Sequence, residues 1–229
     1  MVLVQLALGT AAAQPAGPEL PVPLVVRSPT LPQASVAIDV DSTLGLNGDA
    51  PAALDLAAGL GVGVTDQLEL GVQVLPLELA PDVRYGAPSV YLKYGAWLGD
   101  ITTLTPGIRV FVPVSDLDVA MLDAGIELGL RSGRQLLVNV TPIVNLTFAG
   151  SDVEPAFAVP VGLVIQPDRR VFVTVDTGLS TDPVDPRFRA PRPGADRGVY
   201  VPLGASIGTT FGRPRSAVSD LSIGVYWPE

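Results

Sequence analysis

From Thr65 to Leu77 the chain reads TDQLELGVQVLPL, and its odd and even positions separate. Leu68, Leu70, Val72 and Val74 are apolar, whereas Gln67, Glu69, Gly71 and Gln73 are polar or small. A period of two is that of a strand, because successive side chains point to opposite faces of a sheet. The same alternation recurs over residues 34–46, 53–64, 89–98, 101–112, 119–131, 135–148, 156–166, 171–180, 199–211 and 217–227. Together these are eleven readable strands.

Short turns fall at Asp66, Asp100, Gly133, Asp168 and Arg213, the first four at nearly even intervals of one long hairpin. Longer connections are expected around residues 47–52, 76–88, 113–118, 149–155 and 181–198. Tight turns at one end and longer loops at the other predict an all-β, antiparallel up-and-down barrel over residues 34–229. Transmembrane barrels normally close with an even number of strands, so about twelve are expected. The strand still to be found is expected in residues 182–198 or beyond Glu229.

Composition decides which face meets what. The hydrophobic fraction is 48%, yet charged residues make up only 16%, below the roughly 25% of ordinary soluble domains. Mean hydropathy is +0.42, but no apolar run approaches the roughly 20 residues of a spanning helix. The aliphatic face of the strands is nearly unbroken. The other face mixes glycine and small residues with acids (Asp39, Asp41, Asp55, Glu69, Asp123, Glu127, Asp176), bases (Lys93, Arg109, Arg131) and amides (Gln73, Asn139, Asn145). A soluble barrel of the lipocalin kind would carry a Lys- and Glu-rich exterior, and this chain has one lysine. The polar face therefore reads as the lining of a crowded lumen, and the aliphatic face as a surface for outer-membrane lipid.

The N-terminus changes the picture at one end. Residues 2–13, VLVQLALGTAAA, resemble the apolar core and small-residue cleavage site of an export signal, although no basic residue precedes them. Residues 1–13 are expected to be such a signal or its remnant, and residues 14–33 a proline-rich extended entry segment.

The hairpin GLGVGVTDQLELGVQV and the entry VVRSPTLPQASVAIDV resemble the outer-membrane transporters grouped with meta-pathway phenol degradation proteins. That resemblance spans most of residues 22–227. It implies a barrel that passes small, often aromatic, compounds, and it brings no catalytic signature with it. An alternative reading is a barrel with a structural or surface-contact role and no conduction.

Candidate chemistry is sparse. With no histidine and no cysteine, the chain lacks the commonest general base and the thiolate nucleophile, and no enzyme, cofactor or metal is expected. The net charge of −9 argues against nucleic acid as a partner. Asp39, Asp41 and Asp55 are expected near one another, either as a cation-attracting constriction or as lumen packing matched to Lys93, Arg109 or Arg131. Asp123 and Glu127 stand four strand positions apart, roughly 13 Å, too far for a glycosidase pair. Residues 182–198 mix aspartates with arginines, as suits contact with lipopolysaccharide phosphates, a gate or a solvated loop.

Overall fold

The computed structural model describes residues 2–11, 24–47, 50–74, 77–80, 83–112, 119–149, 151–181, 198–212 and 218–227. Among them there is no α-helix, and no helix long and apolar enough to cross a membrane. The one helical element is a 3-10 turn at Leu24–Val26. The first half holds β1 (Val2–Ala11), β2 (Val36–Asn47), β3 (Ala50–Gly63), β4 (Leu68–Gln73), β5 (Leu77–Ala80), β6 (Arg84–Tyr85), β7 (Ser89–Tyr94), β8 (Ala96–Trp97) and β9 (Thr102–Phe111). The second holds β10 (Val119–Ser132), β11 (Leu136–Val140), β12 (Ile143–Ala149), β13 (Asp152–Ile165), β14 (Val171–Ser180), β15 (Leu203–Gly212) and β16 (Val218–Trp227).

All sixteen segments belong to one sheet, and every pairing is antiparallel. β2 pairs with β3, β3 with β4 and β5, β4 with β7, and β7 and β8 with β9. β9 pairs with β10, and β10 pairs with β11 and β12 in turn. Those two segments share β13 as their other neighbour. The ladder continues through β14 and β15 to β16. β16 then pairs with β1, and β1 with β2.

The strands fall close to where the alternation puts them, with three differences. Residues 2–11, expected to be an export signal, form β1, with ladder partners on both sides. The extra strand therefore comes from the N-terminus. Residues 182–197, where it was expected, lie outside the described residues, and residues 198–202 contribute one isolated bridge, Ser180 to Tyr200. Second, the loops expected around 47–52 and 149–155 are tight. The β2–β3 ladder reaches Asn47 opposite Ala50, and the β12–β13 ladder reaches Ala149 opposite Asp152. Turn-favouring residues at Asn47-Gly48-Asp49 carried that signal in the sequence. Third, the strand expected over 135–148 is broken after Val140. Pro142 has no N–H to give to the ladder, and its carbonyl instead accepts from Ile126 N at 3.1 Å.

The two faces differ in burial, and it is the polar one that is covered. Glu69 is 5% exposed and its neighbour Leu70 is 44% exposed; Asn145 is 5% and Val144 37%. Ser89, Thr103, Thr105, Asp123 and Thr147 are also buried, while Val90, Ile108, Val110 and Ile126 are exposed. Apolar packing on the buried face is confined to patches such as Val25, Val164 and Phe172. Sheets in water do the reverse, because burying apolar area is the main favourable term of folding.

Small residues on the buried face make room for large ones. A Cβ on Gly71 would sit 2.3 Å from the Tyr91 ring, its cross-strand partner. Gly71→Val should therefore destabilise the fold by about 1–3 kcal/mol through overpacking, seen as a lower denaturant midpoint. An unchanged midpoint would contradict this placement of Tyr91.

Candidate functional site

Residues 24–35 form a strap that joins the turn side of the sheet to β2. Proline suits this route. Pro29 and Pro32 have no N–H to leave unsatisfied away from a ladder. The strap is held by strands far apart in the ladder order. Val25 is fully buried against Val164 and Phe172, and its N–H donates to Gln166 Oε1 at 3.2 Å. Arg27 forms an ion pair with Asp220 on β16 and donates to Thr210 Oγ1 on β15 at 3.3 Å. Its second nitrogen meets Asp220 Oδ1 at 2.9 Å. Arg131 on β10 donates to the Arg27 carbonyl.

On the opposite flank, Thr30 Oγ1 donates to the Asp66 carbonyl at 3.0 Å and Gln33 N to Asp66 Oδ1 at 2.9 Å. Leu31 N donates to Glu69 Oε2 at 3.0 Å. Ala34 N donates to the Gly63 carbonyl at 2.8 Å. The strap lies so close that a Cβ on Gly63 would be 2.0 Å from the Pro32 carbonyl oxygen. Ala34 makes the turn into β2 with φ near 60°, a conformation that costs a residue with a Cβ about 1–2 kcal/mol.

Beyond the strap runs a belt of charged and polar side chains. Glu69 accepts from Tyr91 Oη at 2.8 Å and from Lys93 Nζ at 3.3 Å. Lys93 and Arg109 both lie over the Tyr91 ring, 4.9 and 5.5 Å from its centre, within cation–π reach. Arg109 stands directly opposite Asp123 in the β9–β10 ladder. Asp123 in turn accepts from Asn145 Nδ2, and Thr147 Oγ1 donates to Asn145 Oδ1 at 3.3 Å. Next to this belt is a partly open cavity bounded by Tyr91, Lys93, Arg109, Asp123, Glu127 and Thr141.

Of the residues expected to line a lumen, Glu69, Lys93, Arg109, Asp123, Glu127 and Asn145 are brought together in and around this belt. Asp39 lies within Coulombic reach of Lys93, Glu69 and Asp220. Gln73 accepts from Ser89 Oγ at 3.5 Å. Asp41 sits on the same face of β2 as Asp39, opposite Ala57. Of Asp55 only the backbone is described, opposite Thr43 and one diagonal step from Asp41. Asn139 Oδ1 is buried without a hydrogen-bond partner. Asp176 is exposed and accepts from Thr174 Oγ1 at 3.4 Å. Two pairings differ from expectation. Lys93 binds Glu69 on the adjoining strand rather than an aspartate of β2. Arg131 serves the strap carbonyl and stacks 4.0 Å from the Trp97 ring centre.

Reading the sequence alone missed Arg27, Asp220, Gln166 and Tyr91. Arg27 left a signal, being the one charged residue between Glu19 and Asp39 in an otherwise apolar, proline-rich stretch. Tyr91 shares the parity of Lys93 and so belonged to the polar face. No family model matches the chain, and no match to a curated protein was found.

Arg27→Ala should loosen the strap while leaving the ladders formed. Loss of a charge-assisted pair is worth about 1.5–3 kcal/mol, so hydrogen exchange at Val25 and Ala34 should quicken by about tenfold or more. Exchange in β9 and β10 should not move. Unchanged protection of Val25 would show that Arg27 does not hold the strap.

Proposed function

We propose that this chain is an outer-membrane β-barrel with a closed strand circuit, a lipid-facing aliphatic surface and a narrow lumen that admits small solutes. The observation that carries the reading is the inverted burial, with Glu69, Asp123 and Asn145 covered while Leu70, Val110 and Val144 are exposed. In water such an exterior would be costly; against hydrocarbon it is the favourable arrangement. Four of the sixteen segments continue another along one run, β5 after β4, β6 and β8 about β7, and β12 after β11. Grouped in this way the segments form twelve runs, and an even number supports a closed antiparallel circuit. β1 between β16 and β2 supports closure, which a membrane sheet needs because each open-edge backbone group in hydrocarbon costs several kcal/mol.

The solutes are small and hydrophobic or aromatic, as the resemblance to the phenol-pathway transporters implies. Lipopolysaccharide is the expected neighbour of residues 182–198, of which 182–197 lie outside the described residues. The strap supports the second reading, a barrel with no conduction, because its contacts run from β3 to β16. In the first reading the strap narrows the path and makes passage slow.

Purified protein in liposomes and planar bilayers tests this. Wild type should show slow flux of small aromatic solutes and small conductance steps. Arg109→Ala should shift reversal potentials toward cation selectivity, since it removes one positive charge from a confined, low-dielectric space. A folded wild type with neither flux nor conductance leaves the non-conducting barrel standing.

A further inference from the structure

The wall of the cavity carries a feature that the belt does not use. Gly107 and Gly125 are direct partners in the β9–β10 ladder; Ile143 and the Pro142 carbonyl already close over Gly125, each 3.0 Å from where a Cβ would sit, whereas Gly107 leaves room on the buried face. One step along the same two strands, Thr105 and Glu127 are partners, and both line the cavity. Thr105 is 5% exposed, and its hydroxyl is buried without a hydrogen-bond partner. An unmet hydroxyl at a buried site costs about 1–3 kcal/mol, which a bound donor would recover.

The charges around the recess are unequal. Lys93 is paired with Glu69, and Arg109 stands opposite Asp123. Asp39 adds a further carboxylate within reach of Lys93. Among the described residues Glu127, a half-buried carboxylate on the cavity wall, takes part in no ion pair. A single carboxylate beside a hydroxyl suits an alkylammonium group, whose N–H donors can reach both oxygens. It does not suit a metal ion, because among the described residues no three acidic, histidine or cysteine side chains converge.

We propose that the recess over Gly107 binds small organic ammonium ions, with Glu127 and Thr105 receiving the charged nitrogen and the space over Gly107 beside Ile143 receiving the carbon body. This rests on the reading of the buried face as a solute-filled lumen, and it names a solute class for that lumen.

The test is calorimetric binding of benzylammonium, benzyl alcohol and benzoate to the folded full chain in detergent micelles. Benzylammonium should bind at least about tenfold more tightly than the neutral and anionic analogues, the scale of a charge-assisted hydrogen bond. Glu127→Gln should weaken it by about tenfold, and Thr105→Val by a smaller factor. Gly107→Val should abolish it by filling the recess. A Cβ there meets only ordinary contacts, 3.4 Å to the Leu92 carbonyl oxygen and 3.6 Å to Lys93 Cγ, so the wall itself should stay intact. Equal binding of benzyl alcohol, full binding by Glu127→Gln, or binding of calcium in place of benzylammonium would overturn the proposal. Flux in liposomes is a separate readout. Binding without flux removes the channel reading and keeps this site, and flux without binding does the reverse.

Discussion

The whole arrangement depends on backbone hydrogen bonding in continuous ladders. Once a run of residues is committed to a two-sided ladder, its side chains have only two faces to occupy. A shift of one residue would exchange the faces completely. Register is therefore set by the sequence wherever the two faces differ in chemistry. Here they differ along nearly every strand, as Glu69 and Leu70, or Asn145 and Val144, illustrate. The direction of burial is the reverse of that in a sheet folded around an apolar core. Its covered face is a network of hydroxyls, amides and charges, so side-chain hydrogen bonds and ion pairs take the place of an apolar core. Such networks favour one arrangement strongly when their members are satisfied.

The strap follows from that network. A polar interior with glycine tracks offers both room and partners for an extended segment. Gly63 and Gly95 are where the strap passes closest, Pro32 against the first and Pro29 and Thr30 against the second. Arg27 and Arg131 then link it to strands well apart in the ladder order. The belt around Tyr91 lies beyond the strap, with Glu69 common to both, through Leu31 on one oxygen and Tyr91 on the other. Function in the proposed reading is a contest between these two features, one occupying space and one defining a charged recess.

Much of this was legible in the sequence because a period of two needs no tertiary information. Strand positions followed from it, and so did the assignment of Glu69, Lys93, Arg109 and Asp123 to one polar face, though not which of them pair. The hidden parts have separate causes. An apolar N-terminal run read as an export core carries the same residues as a strand, and its pairing with β16 and β2 depends on partners far away in the sequence. Pairings such as Lys93 with Glu69 depend on which strands adjoin and in what register, which alternation within one strand does not specify. The strap has no periodicity, so its contacts with Asp66, Gln166 and Asp220 left no trace beyond the lone charge of Arg27.

The central claim is that the exposed aliphatic face lies against lipid and the covered polar face against a lumen. Single cysteines at Leu70 and Glu69 test it most directly, because the chain has no native cysteine and these neighbours sit on opposite faces. In proteoliposomes, Cys at position 70 should react with a membrane-soluble maleimide and resist a charged aqueous one, and Cys at position 69 should show the opposite preference. Rapid aqueous labelling at position 70, equal to that at position 69, would contradict the account.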